Sequence, residues 1–264
     1  MIIADAPALW LPPKPAIIRP WEKPPVTASL MVNQLIGFGV GGGFGGNDSF
    51  TKLLVHCDGA DASTTFTDSS SLAHTLTANG NAQVDTAQSK FGGAALLLDG
   101  TGDYVSVPSH ADLRFGTGDF TIDLWVRRSA SQTNKGIIAN RSSGTATEWI
   151  LQWDDDQANQ LNWSTGAAYI INNPGSPLNQ DQWYHIEVSR SGTTVRMFVD
   201  GTQLASATDS NNYTGTSAIW IGGEAYGGGT PTYMTGWIDE VRISKGIARH
   251  TANFTPPTGP YDAG

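Results

Sequence analysis

The chain has 264 residues and a formal net charge of −9, from 24 acidic and 15 basic residues. This acidic balance argues against a nucleic-acid partner, because a phosphate backbone repels it. The 31 glycines favour turns and strands over helices, and the single cysteine, Cys57, excludes an intramolecular disulfide. No apolar run approaches about 18 residues, so no membrane-spanning helix is predicted.

Residues 1–36 form a proline-rich, apolar stretch that contains seven of the fourteen prolines. Proline fixes φ and removes a backbone donor, so we predict an extended course rather than a helix or a central strand. The stretch carries more large apolar side chains than a disordered tail does. We predict a docking arm that lies on a partner protein through Trp10, Ile17, Ile18 and Trp21; an unstructured leader is the alternative. A secretory signal peptide is not expected, because prolines interrupt the apolar run.

Residues 37–49 are predicted to be a flexible hinge, because seven of the ten positions from 37 to 46 are glycine. A phosphate-binding loop would need a lysine and a following helix, and neither pattern is present. The hinge separates the arm from the predicted body of the protein, residues 50–264.

The body shows short apolar segments that alternate with polar residues and are separated by Gly, Asn and Asp. About fourteen strands are predicted, which indicates an all-β sandwich of two antiparallel sheets. The strands are expected near residues 51–57, 73–78, 82–86, 94–98, 103–107, 119–128, 135–140, 147–153, 159–163, 167–171, 183–207 as a three-strand meander, 218–221 and 233–244.

The meander is the clearest part of this pattern. Residues 183–188 and 195–199 alternate with period two, and Ser191-Gly192 and Asp200-Gly201 mark tight turns. Residues 236–244 alternate in the same way, and we predict that they close the sheet near the C-terminus.

Four segments resemble laminin-G-like domains of the concanavalin A-like lectin/glucanase class. WYHIEVSRSGTTVRMFVDG (183–201) resembles their central hairpin and GWIDEVRIS (236–244) their closing strand, while residues 102–108 and 119–126 fit in order. The resemblance covers roughly residues 50–262 and implies a jelly-roll sandwich. It does not select a function, because the class includes lectins, enzymes and adhesion modules.

The arm carries a second resemblance. Its segment PALWLPPKPAIIRP (7–20) is similar to short proline-rich N-terminal pieces of tailed-phage virion proteins. Together with a lectin-like body, this implies a protein that is assembled into a virion in the host cytoplasm.

Catalytic patterns are weak in this sequence. Retaining glycosidases of this class place two carboxylates on one strand in an E-x-D-x-x-E motif, and none of the five glutamates lies in such a motif. Glu148 has no partner at the right spacing. The five histidines show no zinc-ligand spacing, and no serine nucleophile motif is present. We predict no catalytic activity, although a hydrolase built from distant strands stays open.

The resemblance also implies a calcium ion near the junction of the first and last strands. Asp58, Asp68 and Asp239 are the matching positions, since hard cations take carboxylate oxygens. The alternative is that these aspartates cap turns.

A sugar-binding surface is the leading specific prediction. Aromatic rings stack on the C–H faces of pyranoses, and carboxylate and amide groups bind hydroxyls. One stretch supplies both chemistries, and the tentative ligand-binding residues are Trp153, Asp154, Asp156, Asn162, Trp163 and Tyr169. Trp149 is expected in the core, and core positions for Trp153 and Trp163 stay open.

These features favour a non-catalytic virion structural or adhesion protein, on the capsid or tail, that displays a lectin-like domain. Its expected partners are other virion proteins, further copies of itself and a host-surface glycan. The alternatives are a glycan-processing enzyme, a free lectin and a spacer without a ligand.

Overall fold

The computed structural model describes residues 46–154, 160–172, 175, 178–225 and 229–263. The predicted docking arm, with Trp10, Ile17, Ile18 and Trp21, and residues 37–45 of the predicted hinge lie outside the described residues. Within the described part no helix is long and apolar enough to cross a membrane.

The described residues are almost entirely strands, turns and loops, with one short 3-10 turn at Ala111–Leu113. The strands are β1 Thr51–Val55, β2 Thr77–Asn79, β3 Gln83–Asp85, β4 Ala95–Asp99, β5 Tyr104–Val107, β6 Phe120–Arg128, β7 Lys135–Asn140, β8 Trp149–Asp154, β9 Gln160–Thr165, β10 Tyr169–Ile171, β11 Tyr184–Ser191, β12 Thr194–Val199, β13 Thr202–Thr208, β14 Ile219–Ile221, β15 Gly223–Glu224, β16 Thr232–Tyr233 and β17 Thr235–Lys245.

Two antiparallel sheets face each other, as predicted. The eight-stranded sheet has the order β13-β12-β11-β6-β17-β4-β3, with β1 also paired to β17. The seven-stranded sheet has the order β10-β9-β8-β7-β14-β5-β2, and β15 and β16 form a separate two-stranded ribbon. The predicted all-β sandwich is therefore confirmed.

The strand predicted to close the sheet has a more central place than expected. β17 pairs with β6 on one side and with β4 and β1 on the other. The register of β17 against β6 shifts between Asp239 and Arg242, where Glu240 has a φ of 50°. At the same point the pairing on the other side of β17 passes from β4 to β1. The last strand of the chain thus ties the first strand into the middle of the sheet.

The core lies between the sheets and is rich in aromatic rings. Phe120 stacks on Phe115 at 4.4 Å between ring centroids, and Trp149 and Trp163 stack at 5.6 Å. The guanidinium of Arg190, which is 0% exposed, lies 5.0 Å from the Phe120 ring and donates to the carbonyls of residues 116, 118 and 211. A buried cation is tolerated here because carbonyl oxygens satisfy its donors.

The outer face of the eight-stranded sheet carries a buried layer of charged and polar groups. Arg242 Nε donates to Asp123 Oδ2 at 3.1 Å, and the hydroxyl of Tyr261 donates to the other oxygen of Asp123. Arg242 holds the pKa of Asp123 well below its usual range, although burial acts in the opposite direction. Residues 254–261, called here the C-terminal segment, cover this layer: Tyr261 N donates to Glu240, and Phe254 stacks on His250 at 3.6 Å.

Residues 46–49, assigned from sequence to the hinge, pack against the body. Asn47 Nδ2 donates to the carbonyls of Ser69 and Ala263, and Asp48 pairs with Arg249 at 2.9 Å. Packing of the body therefore includes at least the four residues before Phe50.

The meander forms β11, β12 and β13 in the predicted antiparallel order. Both turns use glycine in the left-handed region, Gly192 at φ 58° and Gly201 at φ 73°. The two sites differ in their surroundings: a Cβ on Gly192 would meet no atom within 4 Å, whereas one on Gly201 would lie 2.0 Å from Phe254 O. Gly201 therefore also permits the close approach of the C-terminal segment.

Asp239 is fully buried on β17. Its Oδ2 accepts from the backbone N–H groups of Lys90 and Phe91, at 2.8 and 3.0 Å, and its Oδ1 has no hydrogen-bond partner among the described residues. Burial, reinforced by the nearby Glu240 and Asp58 carboxylates, raises the pKa of Asp239 to about 8. The folded protein therefore keeps this carboxyl protonated at neutral pH.

The two turn glycines give a matched pair of substitutions. Gly192→Ala should cost about 1 kcal/mol, the usual penalty for a Cβ in the left-handed region. Gly201→Ala should cost at least about 1 kcal/mol more, because its Cβ also collides with the backbone at Phe254. Urea unfolding of both variants measures the difference; equal costs would show that the C-terminal segment is not held against this turn.

The free energy of unfolding should depend on pH through Asp239. An acid whose folded pKa is raised binds its proton more tightly in the folded state, so its contribution to stability falls as pH rises from about 4 to about 8. Asp239→Asn mimics the protonated carboxyl, so it should remove this fall and make the variant more stable than wild type by a few kcal/mol at pH 9. Urea unfolding of both proteins across this pH range measures the difference. If the free energies of unfolding of wild type and Asp239→Asn changed with pH in parallel, Asp239 would be shown to ionise normally.

Candidate functional site

The outer face of the seven-stranded sheet is the surface on which a site is best formed. Along β8 and β9 the side chains alternate, so Leu151 and Trp163 point into the core while Gln152 and Ser164 point outward. The side chains of β14 alternate in the same way: Ile219 and Ile221 are buried, and Trp220 points outward.

A pocket of about 530 Å³ opens on this face. It lies between β8, β9 and β10 on one side and the β15–β16 ribbon on the other. We call it the polar pocket; the residues that line it include Asn134, Arg141, Gln152, Ser164, Thr165, Tyr169, Glu224, Thr230 and Thr232. Hydroxyl, amide and charged groups thus surround a space large enough for a sugar unit.

An ion pair forms one wall of the polar pocket. Arg141 donates to Glu224 Oε2 at 2.8 Å and to the Gly166 carbonyl at 3.2 Å. Burial raises the pKa of Glu224, although Arg141 opposes this effect. Glu224 is only 2% exposed, so the pair presents a fixed donor and a fixed acceptor rather than a mobile charge.

Tyr169 marks the mouth of the pocket. It is 48% exposed, one of the few large hydrophobic side chains with that much exposure among the described residues. Gln152 Nε2 donates to its hydroxyl at 3.5 Å, a long contact. Nearly half of the side chain is thus exposed at the edge strand of the sheet.

A second aromatic group lies beside the pocket and is called here the aromatic platform: Tyr104 on β5, Trp220 on β14 and Tyr233 on β16. Tyr104 and Trp220 stack at 3.7 Å between centroids, with 14° between their planes. Tyr233 lies nearly parallel to both, at 6.1 and 6.5 Å. All three are partly exposed, and Tyr233 directly follows the pocket residue Thr232. Tyr104 and Trp220 cover one face of each other, so a sugar's C–H face can stack only on the outer faces of this group.

The structure places the predicted sugar-binding tryptophans elsewhere. Trp153 is 1% and Trp163 0% exposed, and both belong to the core between the sheets. A sugar cannot stack on rings that are covered by the opposite sheet, so this part of the prediction is corrected. Trp149 lies in the core as expected.

The other predicted ligand-binding residues have mixed positions. Tyr169 lines the polar pocket, and Asn162 is opposite Gln152 in the sheet but fully buried. Asp154 ends β8, and Asp156 lies outside the described residues. Of the predicted residues whose side chains the structure describes, Tyr169 is the one that lines the pocket.

Sequence reasoning missed Tyr104, Trp220, Tyr233, Arg141 and Glu224. Only one of them left a usable signal: Trp220 lies between two isoleucines in a short strand, so alternation places it on the opposite face from theirs. The other four come together through pairing between distant strands and through the ribbon, which no local pattern predicted.

Glu148 serves a structural purpose. Its carboxylate accepts from the backbone N–H groups of Ser142 and Thr145, at 2.9 and 3.0 Å, and from Ser217 Oγ at 2.9 Å. Burial acts to raise the pKa of Glu148, but these hydrogen bonds hold it below its usual value. A carboxylate with this many donors stabilises the loop between β7 and β8 and is a poor general acid.

The three predicted calcium ligands do not form a shared site. Both oxygens of Asp68 accept hydrogen bonds. Oδ1 accepts from Leu54 N and Ser70 N, and Oδ2 accepts from Ser70 Oγ and His74 N. This is the turn-capping arrangement. Asp58 is exposed, and Asp239 Oδ1 is buried without a donor among the described residues. In the described ranges no three His, Cys, Asp or Glu side chains come together to hold a metal ion. Calcium stays a prediction, and its ligands would not include Asp68.

Comparison with known proteins agrees with this architecture. Residues 99–250 match the Laminin_G_3 family, described as the concanavalin A-like lectin/glucanases superfamily. No curated protein matches the chain.

Several solved structures share the fold at low sequence identity. Domain 4 of AbnA, a GH43 extracellular arabinanase from Geobacillus stearothermophilus, in complex with arabinotriose, is 16% identical with a TM-score of 0.55, and the match covers 75% of this chain and 93% of that chain. The botulinum neurotoxin serotype D binding domain is 14% identical with a TM-score of 0.54, covering 75% and 49%. Trypanosoma rangeli sialidase in complex with sialic acid is 17% identical with a TM-score of 0.54, covering 76% and 31%.

At these identities the structural matches show the fold alone, and they include both enzymes and binding domains. This chain spans about half of the neurotoxin domain and about a third of the sialidase. The family match is stronger, because it covers more than half of the sequence. The chain therefore belongs to the concanavalin A-like lectin/glucanases superfamily.

Proposed function

We propose that this protein is a non-catalytic glycan-binding protein that holds its ligand on the outer face of the seven-stranded sheet. The observation that carries the proposal is the aromatic platform beside the polar pocket on a solvent-facing sheet. The platform stacks on one sugar ring while the Arg141–Glu224 pair and Gln152 bind hydroxyls of another.

The geometry favours a chain of sugars over a monosaccharide. Tyr169 on β10 and Trp220 on β14 are four strands apart in the sheet, which corresponds to about 19 Å at about 4.8 Å per strand. A ligand that contacts both must lie across the strands and extend over several sugar units.

A glycan-processing enzyme is the second candidate, and Glu224 is the observation that favours it. A buried carboxyl with a raised pKa in a pocket is the property expected of a general acid. The described lining of the pocket contains no second carboxylate at the distance that glycosidases need, and Glu224 is tied to Arg141. We therefore propose binding without turnover.

The proposed setting is a virion, on the capsid or the tail, with the body displayed outward and a host-surface glycan as ligand. Residues 1–36 support this setting through their proline-rich, apolar sequence, which suits an extended arm buried against another virion protein. A homo-oligomer fits the same role. A free lectin is the alternative, and it differs in having no need of the arm.

Binding should be tested first on a glycan array, and then on the best glycan by calorimetry. Trp220→Ala and Tyr169→Ala should each weaken binding about tenfold, because each removes one stacking surface. Phe50→Ala is a matched control, since Phe50 is 40% exposed and precedes β1 of the other sheet. Equal affinities for all four proteins would refute the proposed face.

Incubation with the bound glycan should release no reducing ends. Glu224→Gln keeps the shape of the side chain, so it should leave this result unchanged while altering affinity through the contact with Arg141. Turnover by wild type that Glu224→Gln abolishes, and that Glu148→Gln leaves intact, would establish the enzyme instead.

Deletion of residues 1–36 should abolish incorporation into particles, because the predicted docking residues lie there. Glycan binding should be retained, since the described site lies within residues 104–233. Particle sedimentation followed by immunoblotting measures incorporation, and normal incorporation of the shortened protein would favour the free lectin.

A further inference from the structure

A second pocket, of about 490 Å³, opens on the eight-stranded sheet, the opposite side of the sandwich from the polar pocket. Five separate parts of the chain form it: the β3–β4 loop, β6, the residue before β11, the β12–β13 turn and the C-terminal segment. The residues that define it are Lys90, Trp125, Trp183, Asp200, Pro256 and Pro257.

Lys90 is held in this pocket without a polar partner. Its Nζ lies 3.8 Å from the centroid of the Trp125 ring and 5.5 Å from that of Phe91, so two rings fix the ammonium group. Among the described residues it makes no hydrogen bond or ion pair, and partial burial lowers its pKa. The indole N–H of Trp125, in the same wall, also has no acceptor. The accessible donor of the pocket is therefore the Lys90 ammonium group, since the Trp125 N–H is buried.

Asp200 provides the opposite chemistry. It occupies the β12–β13 turn at φ 46°, and its Oδ1 accepts from His185 N at 2.9 Å. This bond fixes the carboxylate, and the exposed side chain keeps its second oxygen for another donor.

Trp183 and the C-terminal segment complete the pocket. Trp183 is partly exposed and stacks on no other ring in the described part of the chain. The C-terminal segment is anchored on both sides of Pro256 and Pro257, because Phe254 N donates to the Gly201 carbonyl and Tyr261 N donates to Glu240. The wall is thus pre-formed, which reduces the entropy lost on binding.

We infer that this second pocket is a separate saccharide-binding site, selective for neutral sugars, in which Lys90 and Asp200 hold adjacent hydroxyls and Trp183 stacks on the sugar ring. A hydroxyl both accepts and donates, so a diol satisfies the ammonium and the carboxylate together. Lys90 and Asp200 together give the site no net charge to attract an acidic sugar, and the protein's net charge of −9 repels one.

The site is independent of the polar pocket because the two lie on different sheets and share no lining residue. Two sites on opposite faces would let one molecule bridge two glycan chains and gain affinity from multivalency. The second site can therefore be tested even if the first binds nothing.

The test follows tryptophan indole signals by NMR on the full-length protein, titrated separately with cellobiose, maltose, lactose and chitobiose, and with 3′-sialyllactose as the acidic probe. At least one neutral disaccharide should shift the Trp125 and Trp183 signals. The Trp237 signal should not move, because its N–H already donates to Asp85 at 2.7 Å. If no neutral sugar shifts Trp125 or Trp183, or if 3′-sialyllactose shifts them at lower concentration, the inference is overturned.

Substitutions decide whether the named groups are responsible. Asp200→Asn keeps the acceptor for His185 and suits a positive φ, so the fold should persist while affinity at this site falls about tenfold. With the Trp125 signal as the readout, Trp183→Ala should abolish the shift, Trp183→Phe should retain it weakly, and Trp220→Ala should leave it unchanged. Unaltered binding by both Asp200→Asn and Trp183→Ala would also overturn the inference.

Discussion

The fold depends on the pairing of charges that are buried on the outer face of the eight-stranded sheet. Asp123 and Arg242 occupy neighbouring central strands, and each would be costly to bury alone. Tyr261 supplies a further donor to Asp123 and closes the layer from outside. Because these buried groups take hydrogen-bond donors from Tyr261, the C-terminal segment is part of the folded body, and Gly201 is needed where that segment passes.

This arrangement makes the two outer faces of the sandwich different. One sheet is covered in part by the C-terminal segment, and the second pocket opens there between Trp183 and the prolines. The other sheet keeps an open outer face with a ribbon folded onto it. The buried glutamates differ in the same way between the two sheets. Glu187 pairs with His250 and Glu240 with His56, under or beside the C-terminal segment, whereas Glu224 lines the polar pocket.

Local patterns predicted most of the strands. Alternation and turn glycines gave the meander and the two-sheet sandwich, because these signals depend only on the side-chain period of a strand and on the φ angles that glycine tolerates. The β15–β16 ribbon was missed, since strands of two residues leave no period to read. The position of β17 in the middle of its sheet was also missed, because strand order is set by contacts between distant segments.

The sequence by itself determined which residues belong to strands and that aromatic and polar groups are abundant around Trp149 to Tyr169. It did not determine which rings are exposed. Trp163 and Trp220 each lie in a strand of alternating pattern, yet one is buried in the core and the other faces outward, because only the pairing of sheets fixes which face is covered. The tertiary structure alone brings Tyr104, Trp220 and Tyr233 together from three strands, since Tyr104 lies more than a hundred residues before the other two and such stacking has no local signature.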